Sequence, residues 1–276
     1  MSDQEFLHGA IHGSLLAVIS KPHRGYWALL APALSWAIWS CAEYWREIDI
    51  ALSRKDLSSD PVVVEAFRAR LIRAQHSSLD ARMHWNQALV LAGNDSSKLR
   101  WLGTFAEQSG ADEIALRAFQ RLAQSPGDPS LALAGQQRLA VKMHDISASR
   151  TIAEKTLALH ADGPNAQNRV AYYDLLLEKN VSANTTKAKE LVAKYPDRLE
   201  FRVTAALAFL RQHDAAAALA QFQGPPIEWG KTPPSWRAVY AAALRGNERE
   251  DVARDIIATI PMDKLSSEER ALIEAK

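Results

Sequence analysis

Residues 96–129 read SSKLRWLGTFAEQSGADEIALRAFQRLAQSPGDP, and this stretch sets the fold class. Leu99, Leu102, Gly103 and Ala106 fall on one face of a first helix at steps of three and four. Gly110 and Asp112 then break the chain. Ala115, Phe119 and Leu122 line one face of a second helix, which Pro126-Gly127 ends. Two amphipathic helices with a turn between them make a helical hairpin, and neither helix can bury its apolar face alone.

The same device recurs along the chain. Small–large pairs at i, i+4 stand at Ala81/Trp85, Ala115/Phe119, Ala153/Leu157, Ala188/Val192, Ala218/Phe222 and Ala253/Ile257. The alanines follow one another at steps of 34, 38, 35, 30 and 35 residues. A small residue lets paired helices approach closely, and the large one a turn later fills the gap to the next pair. Pro126, Pro164, Pro196, Pro225 and Pro261 follow five of these units and are expected to close their second helices. Asp60-Pro61 and Asp128-Pro129 read as an N-cap followed by proline at the first helical position. Asp197…Glu200 and Ser266…Glu269 read as capping boxes, the second opening a final helix through Ala275. The expectation is about six helical pairs between residues 61 and 262, then a closing helix.

The set Leu99-x2-Leu102-Gly103-x2-Ala106, Ala115-x3-Phe119 and Pro126 resembles the tetratricopeptide repeat (TPR). That pattern reads W-x2-L-G-x2-Y, A-x3-F and P over about 34 residues. Here leucine replaces the first aromatic and alanine replaces the tyrosine. The resemblance implies an all-α chain: an α-solenoid of about six TPR-like helix-turn-helix pairs over residues 61–276. It also implies a concave surface, lined by the first helix of each pair, that takes a protein or peptide partner. In the unit 96–129 the residues facing that surface are Arg100, Thr104 and Gln108. They lack the Lys/Asn pattern of the family's clamp for C-terminal carboxylates, so no ligand type carries over.

Composition agrees with a helical fold. There are 47 alanines and 32 leucines against 12 glycines and 12 prolines, which argues against an all-β chain. A hydrophobic fraction of 47 % argues against disorder. With 33 basic and 32 acidic residues, no global field marks nucleic acid as a partner. The single cysteine, Cys41, excludes an intramolecular disulfide and a Cys-rich zinc site.

Eighteen residues between Arg24 and Glu43, GYWALLAPALSWAIWSCA, carry no charge. As a helix they would span roughly 27 Å, close to the hydrocarbon thickness of a bilayer. Tyr26 and Trp27 precede the apolar core of the stretch and Tyr44 and Trp45 follow it, where aromatic rings settle at a membrane interface. Lys21 and Arg24 on the leading side place residues 1–24 in the cytoplasm and the long C-terminal part outside. On this reading residues 25–45 are a transmembrane helix or signal anchor, kinked at Pro32, and residues 46–60 connect it to the repeats. Three other readings stay open: a buried helix of a soluble core, a signal cleaved near Ser40-Cys41-Ala42, and a lipobox at Ile38–Cys41.

Other motifs carry less. Gly230-Lys231-Thr232 has the ending of a phosphate-binding loop, but the required first glycine falls on Pro225, and Pro233-Pro234 remove backbone donors. His8 and His12 are four apart without a third ligand, and His76 and His84 are read as surface residues without partners. Residues 223–234 hold four prolines and Trp229, which reads either as an anchor for a partner or as a ring packed under its own loop. The sequence therefore describes a non-catalytic, membrane-tethered scaffold with no cofactor, no metal and no nucleic-acid partner. The alternatives are a soluble helical scaffold with residues 26–45 in its core, and an enzyme whose groups meet only in the folded chain.

Overall fold

The computed structural model describes residues 60–274 except 75–77 and 128. The apolar stretch 26–45, the tail, the connecting segment, His8, His12 and His76 lie outside the described residues. Among the described residues there are thirteen α-helices, two short 3₁₀ turns and no strand.

The helices form six consecutive pairs and a closing helix. They are α1 (Pro61–Ala74) with α2 (Ser78–Ala92), α3 (Ser96–Gln108) with α4 (Asp112–Gln124), and α5 (Ser130–Lys142) with α6 (Ile146–Leu159). Then come α7 (Pro164–Leu176) with α8 (Val181–Lys194), α9 (Leu199–Arg211) with α10 (Ala215–Ala220), α11 (Pro234–Arg245) with α12 (Glu250–Ala258), and α13 (Ser267–Glu274). Each helix packs on its partner, and first helices also pack on first helices: α1 on α3, α3 on α5, α7 on α9, α9 on α11. This is the expected stack. All six recurrent alanines lie in second helices, and none is more than 2 % exposed.

The turn inside the five pairs from α3–α4 onward repeats more strictly than the letters do. Gly110, His144, Glu178, His213 and Glu248 all have left-handed backbone, with φ between 55° and 70°, at steps of 34, 34, 35 and 35 residues. After each, the next backbone N–H donates to a carbonyl five residues back: Ala111 to Ala106, Asp145 to Ala140, Lys179 to Asp174, Asp214 to Phe209 and Arg249 to Leu244, at 2.8–3.0 Å. Such bonds satisfy the orphan carbonyls of the first helix while the chain reverses. Only one of the five positions is glycine, so four escaped a reading based on glycine breaks. Asp145 and Asp214 then cap the following helices, accepting from Ala148 N–H at 2.8 Å and Ala217 N–H at 2.9 Å.

Two start signals hold and three signals are corrected, the first being Pro129, which is the N-cap of α5 and not its first helical residue. Asp60 accepts from Val62 N–H at 2.9 Å, and Ser266 and Glu269 exchange the reciprocal bonds of a capping box, at 3.0 and 3.2 Å. Asp197 caps nothing, because the N-cap of α9 is Arg198. Pro164 does not end α6, which stops at Leu159; it opens α7, where its missing N–H costs nothing.

Phe119 shows how neighbouring pairs lock. Its ring is fully buried between α3 and α5, where a Cβ added at Gly103 would come within 2.9 Å of it and one at Gly135 within 2.6 Å. Both glycines therefore make room for the ring. On the outside of the same junction Arg138 grips Glu107 through two bonds of 2.9 and 2.7 Å, an exposed pair worth well under about 1 kcal/mol. We expect Phe119→Ala to cost about 3–5 kcal/mol in chemical denaturation. Gly135→Ala should cost about 1–3 kcal/mol in the parent but little once Phe119 is Ala; additive costs would contradict this packing.

Candidate functional site

The four residues singled out from the sequence fall in two places. Arg100, Thr104 and Gln108 form an exposed stripe along α3, and the Thr104 hydroxyl turns back to donate to Arg100 O at 3.0 Å. Beside the stripe, Trp101 stacks on Phe105 at 5.0 Å, and Phe105 meets Phe67 of α1 at 4.8 Å. Trp229 belongs to the other end of the stack. It is half-buried, stacks on Tyr240 at 4.1 Å and meets Phe222 edge-on at 5.4 Å, so its ring holds down its own loop. Lys231, in the look-alike phosphate loop, pairs with Glu228 at 2.6 Å. His84 is not partnerless: its Nδ1 lies 2.6 Å from Glu65 Oε2.

A concavity among the described residues lies elsewhere, and none of those four residues lines it. A cavity of about 660 Å³ opens between α7, α9, the start of α11 and the closing segment around α13. Its α7 wall carries Asn165, Asn168, Arg169 and Tyr172, at i, i+3, i+4 and i+7, which is one helix face. From α9 come Glu200, Phe201 and Thr204, and from the other walls Trp236, Lys264 and Glu269. A signal for it was present. Arg100 and Thr104 stand four and eight residues after the first residue of α3, and the same steps from Pro164 of α7 reach Asn168 and Tyr172.

The cavity is closed by a contact between residues 97 apart in sequence: the Tyr172 hydroxyl donates to Glu269 Oε1 at 3.3 Å. The other oxygen of Glu269 accepts Ser266 N–H at 3.0 Å, so one carboxylate both caps α13 and ties it to α7. Burial raises the Glu269 carboxyl above its ordinary value, opposed by the bonds from Ser266 and Tyr172. Burial also lifts the Tyr172 phenol well above its usual range, with the Glu269 charge adding to the shift. Tyr173 is raised mainly by burial as well, and its hydroxyl oxygen accepts from Gln137 Nε2 at 3.1 Å. Of the wall residues, Asn168 is 8 % exposed, donates to Glu200 O at 3.4 Å and leaves its own Oδ1 unpartnered. Among the described residues no group of three or more His, Cys, Asp or Glu is placed to hold a metal ion.

No protein-family model matches the sequence, and no curated protein matches it significantly. A solved structure does: a tetratricopeptide repeat protein from Parabacteroides merdae ATCC 43184, with a TM-score of 0.53 and 12 % identity, over 91 % of this chain and 98 % of that one. The fold is TPR-like. At this identity the likeness concerns architecture alone, and it agrees with the repeated pairs, buried alanines and stacked first helices. The cavity is lined by residues of the first helices α7, α9 and α11 and of the closing segment.

Because burial favours the neutral acid, the folded chain holds the Glu269 proton to higher pH than the unfolded chain does. Stability from this group is full below the ordinary value of 4.5 and falls as pH rises through the raised one. Glutamine keeps one acceptor oxygen for the Ser266 N–H, turns its amide N–H₂ toward the Tyr172 oxygen, and cannot ionise. The unfolding free energy of Glu269→Gln relative to the parent should therefore improve from about pH 4 to about pH 7. A difference independent of pH would contradict the assignment.

Proposed function

We propose that this chain is a non-catalytic scaffold that binds a segment of a partner protein along its concave face, with the cavity between α7, α9, α11 and α13 as the seat. The observation that carries this reading is the cavity itself, walled by the first helices of successive pairs and closed by the C-terminal helix. Its walls mix aromatic rings with a few fixed polar groups, the composition of a recognition site. The exposed stripe Arg100, Thr104 and Gln108 offers a second patch for the same partner on α3.

We further propose that residues 26–45 tether the scaffold to a membrane, with residues 61–276 on the extracytoplasmic side. The support is the uncharged stretch with its aromatic borders and the basic residues ahead of it. No helix among the described residues is long and apolar enough to cross a membrane, so this role falls to the N-terminal stretch alone.

Asn165 is exposed and lines the cavity, so Asn165→Trp should obstruct its mouth without disturbing the core. Partners captured by the full chain and identified by mass spectrometry should be lost at least tenfold from this variant, with an unchanged melting midpoint. Retention by Asn165→Trp together with loss on Arg100→Ala would move the seat to α3. On carbonate washing of membranes the full chain should stay in the pellet; release would instead favour residues 26–45 packed against the repeats.

A further inference from the structure

The half-buried arginines of the described residues are, with one exception, engaged by the fold. Among the described residues nine are half-buried or buried: Arg68, Arg121, Arg150, Arg169, Arg198, Arg202, Arg211, Arg237 and Arg245. Several tie one element to the next by donating to backbone carbonyls. Arg121 reaches Leu89 O at 2.9 Å, Arg211 reaches Leu175 O and Leu176 O at 2.9 and 3.1 Å, and Arg202 reaches Gln223 O at 2.7 Å. Arg237 donates to Thr259 O and Arg245 to Ile273 O. Arg68, Arg150 and Arg198 pair with Glu65, Asp174 and Glu200. Arg169 alone of the nine has neither a hydrogen bond nor an ion pair.

Arg169 lines the cavity, on the α7 face between Asn165 and Tyr172. A half-buried guanidinium holds five N–H donors that the fold leaves unused, and partly desolvated charge is costly without a partner. His144 stands in the same walls and acts on Glu269, and the other charged side chains there have partners. Glu200 is held by Arg198, whose guanidinium also lies over the Phe201 ring at 4.7 Å. Glu269 is taken up by Ser266 and Tyr172, and Lys264 lies 3.8 Å from Asp263.

We propose that the cavity selects its partner segment by an acidic side chain, Asp or Glu, whose carboxylate forks onto Arg169. This rests on the reading that the concave face seats a segment of a partner protein. The planar guanidinium offers two parallel donors that match a carboxylate. A singly charged, planar carboxylate matches the one guanidinium left without an ion pair, whereas a phosphate dianion brings a second charge that Arg169 alone does not meet. Tyr172, Phe201 and Trp236 supply apolar surface for the residues that flank the acid.

The test uses the full chain and amidated, acetylated random peptide pools in which the central residue is fixed as Asp, Glu, Asn, Gln or phosphoserine. Pools with Asp or Glu should be retained at least tenfold over Asn, Gln and phosphoserine. Arg169→Gln, which breaks no hydrogen bond or ion pair, should fold like the parent and lose that preference while keeping the weak binding common to all pools. An acid preference that survives Arg169→Gln, or pools retained without one, overturns this assignment and leaves the peptide-binding reading standing. Retention of the phosphoserine pool above the acid pools overturns it in favour of a phosphate site. Equal affinity for N-acetylglutamate amide alone would make the occupant a small acid and overturn it too. No retention of any pool overturns both this assignment and the reading on which it rests.

Discussion

A pair of helices thirteen or so residues long has apolar surface on more sides than its own partner can cover. Every pair here must therefore lean on the next, and the junctions decide whether the whole chain folds. Two features make the junctions possible. Alanines at Ala81, Ala115, Ala153, Ala188, Ala218 and Ala253 are buried where helices meet, and a large ring such as Phe119 reaches across into the next pair. The glycines at Gly103 and Gly135 exist for that ring, since a methyl group at either would press into it. The pair α11–α12 is covered by the closing segment, whose Leu265, ahead of α13, and Ile273, within it, join the buried cluster around Ala238 and Ala241.

That same closing helix creates the candidate site. Seated against α11 alone it would only end the stack, but Glu269 reaches Tyr172 of α7 and turns an open inner surface into a walled cavity. The carboxylate that caps α13 is the one that makes this contact, so the integrity of the helix start and the closure of the cavity depend on a single side chain. Within the walls most charges are internally matched, and Arg169 is left over. Among the described residues the other half-buried arginines are all engaged by hydrogen bonds or ion pairs, and the one left without either, beside an aromatic floor, is where we place a ligand's charge.

Much of the fold could be read from letters because local rules govern it. The i, i+4 alanine pairs mark second helices and the Ser266…Glu269 box marks the last helix, each decided within a few residues of sequence. Errors arose where one letter serves two roles. Pro164 can end a helix or begin one, and only the position of α6 shows that it begins α7. Asp197 has the spacing of a capping box but lies one residue ahead of the true N-cap. The left-handed turns at His144, Glu178, His213 and Glu248 were invisible because their conformation is imposed by the closing hydrogen bond and not by glycine. His84 was read as unpaired because its partner, Glu65, lies on the other helix of the pair.

The site was less legible. The stripe Arg100, Thr104 and Gln108 was projected correctly onto an exposed face, and Trp229 proved to be held by Tyr240 and Phe222. Neither marks the cavity, because a cavity is a property of surfaces from several helices and no single helix announces it. By itself the sequence determined the helical pairs, their near-34-residue rhythm and the small residues at their crossings, since these follow from periodicity, backbone entropy and side-chain volume over short range. Only the tertiary structure decided that α13 folds back to α7, that a cavity forms there, and which arginine remains without a partner. Those outcomes depend on the summed rotation of successive pairs, which brings residues 97 positions apart to within 3.3 Å.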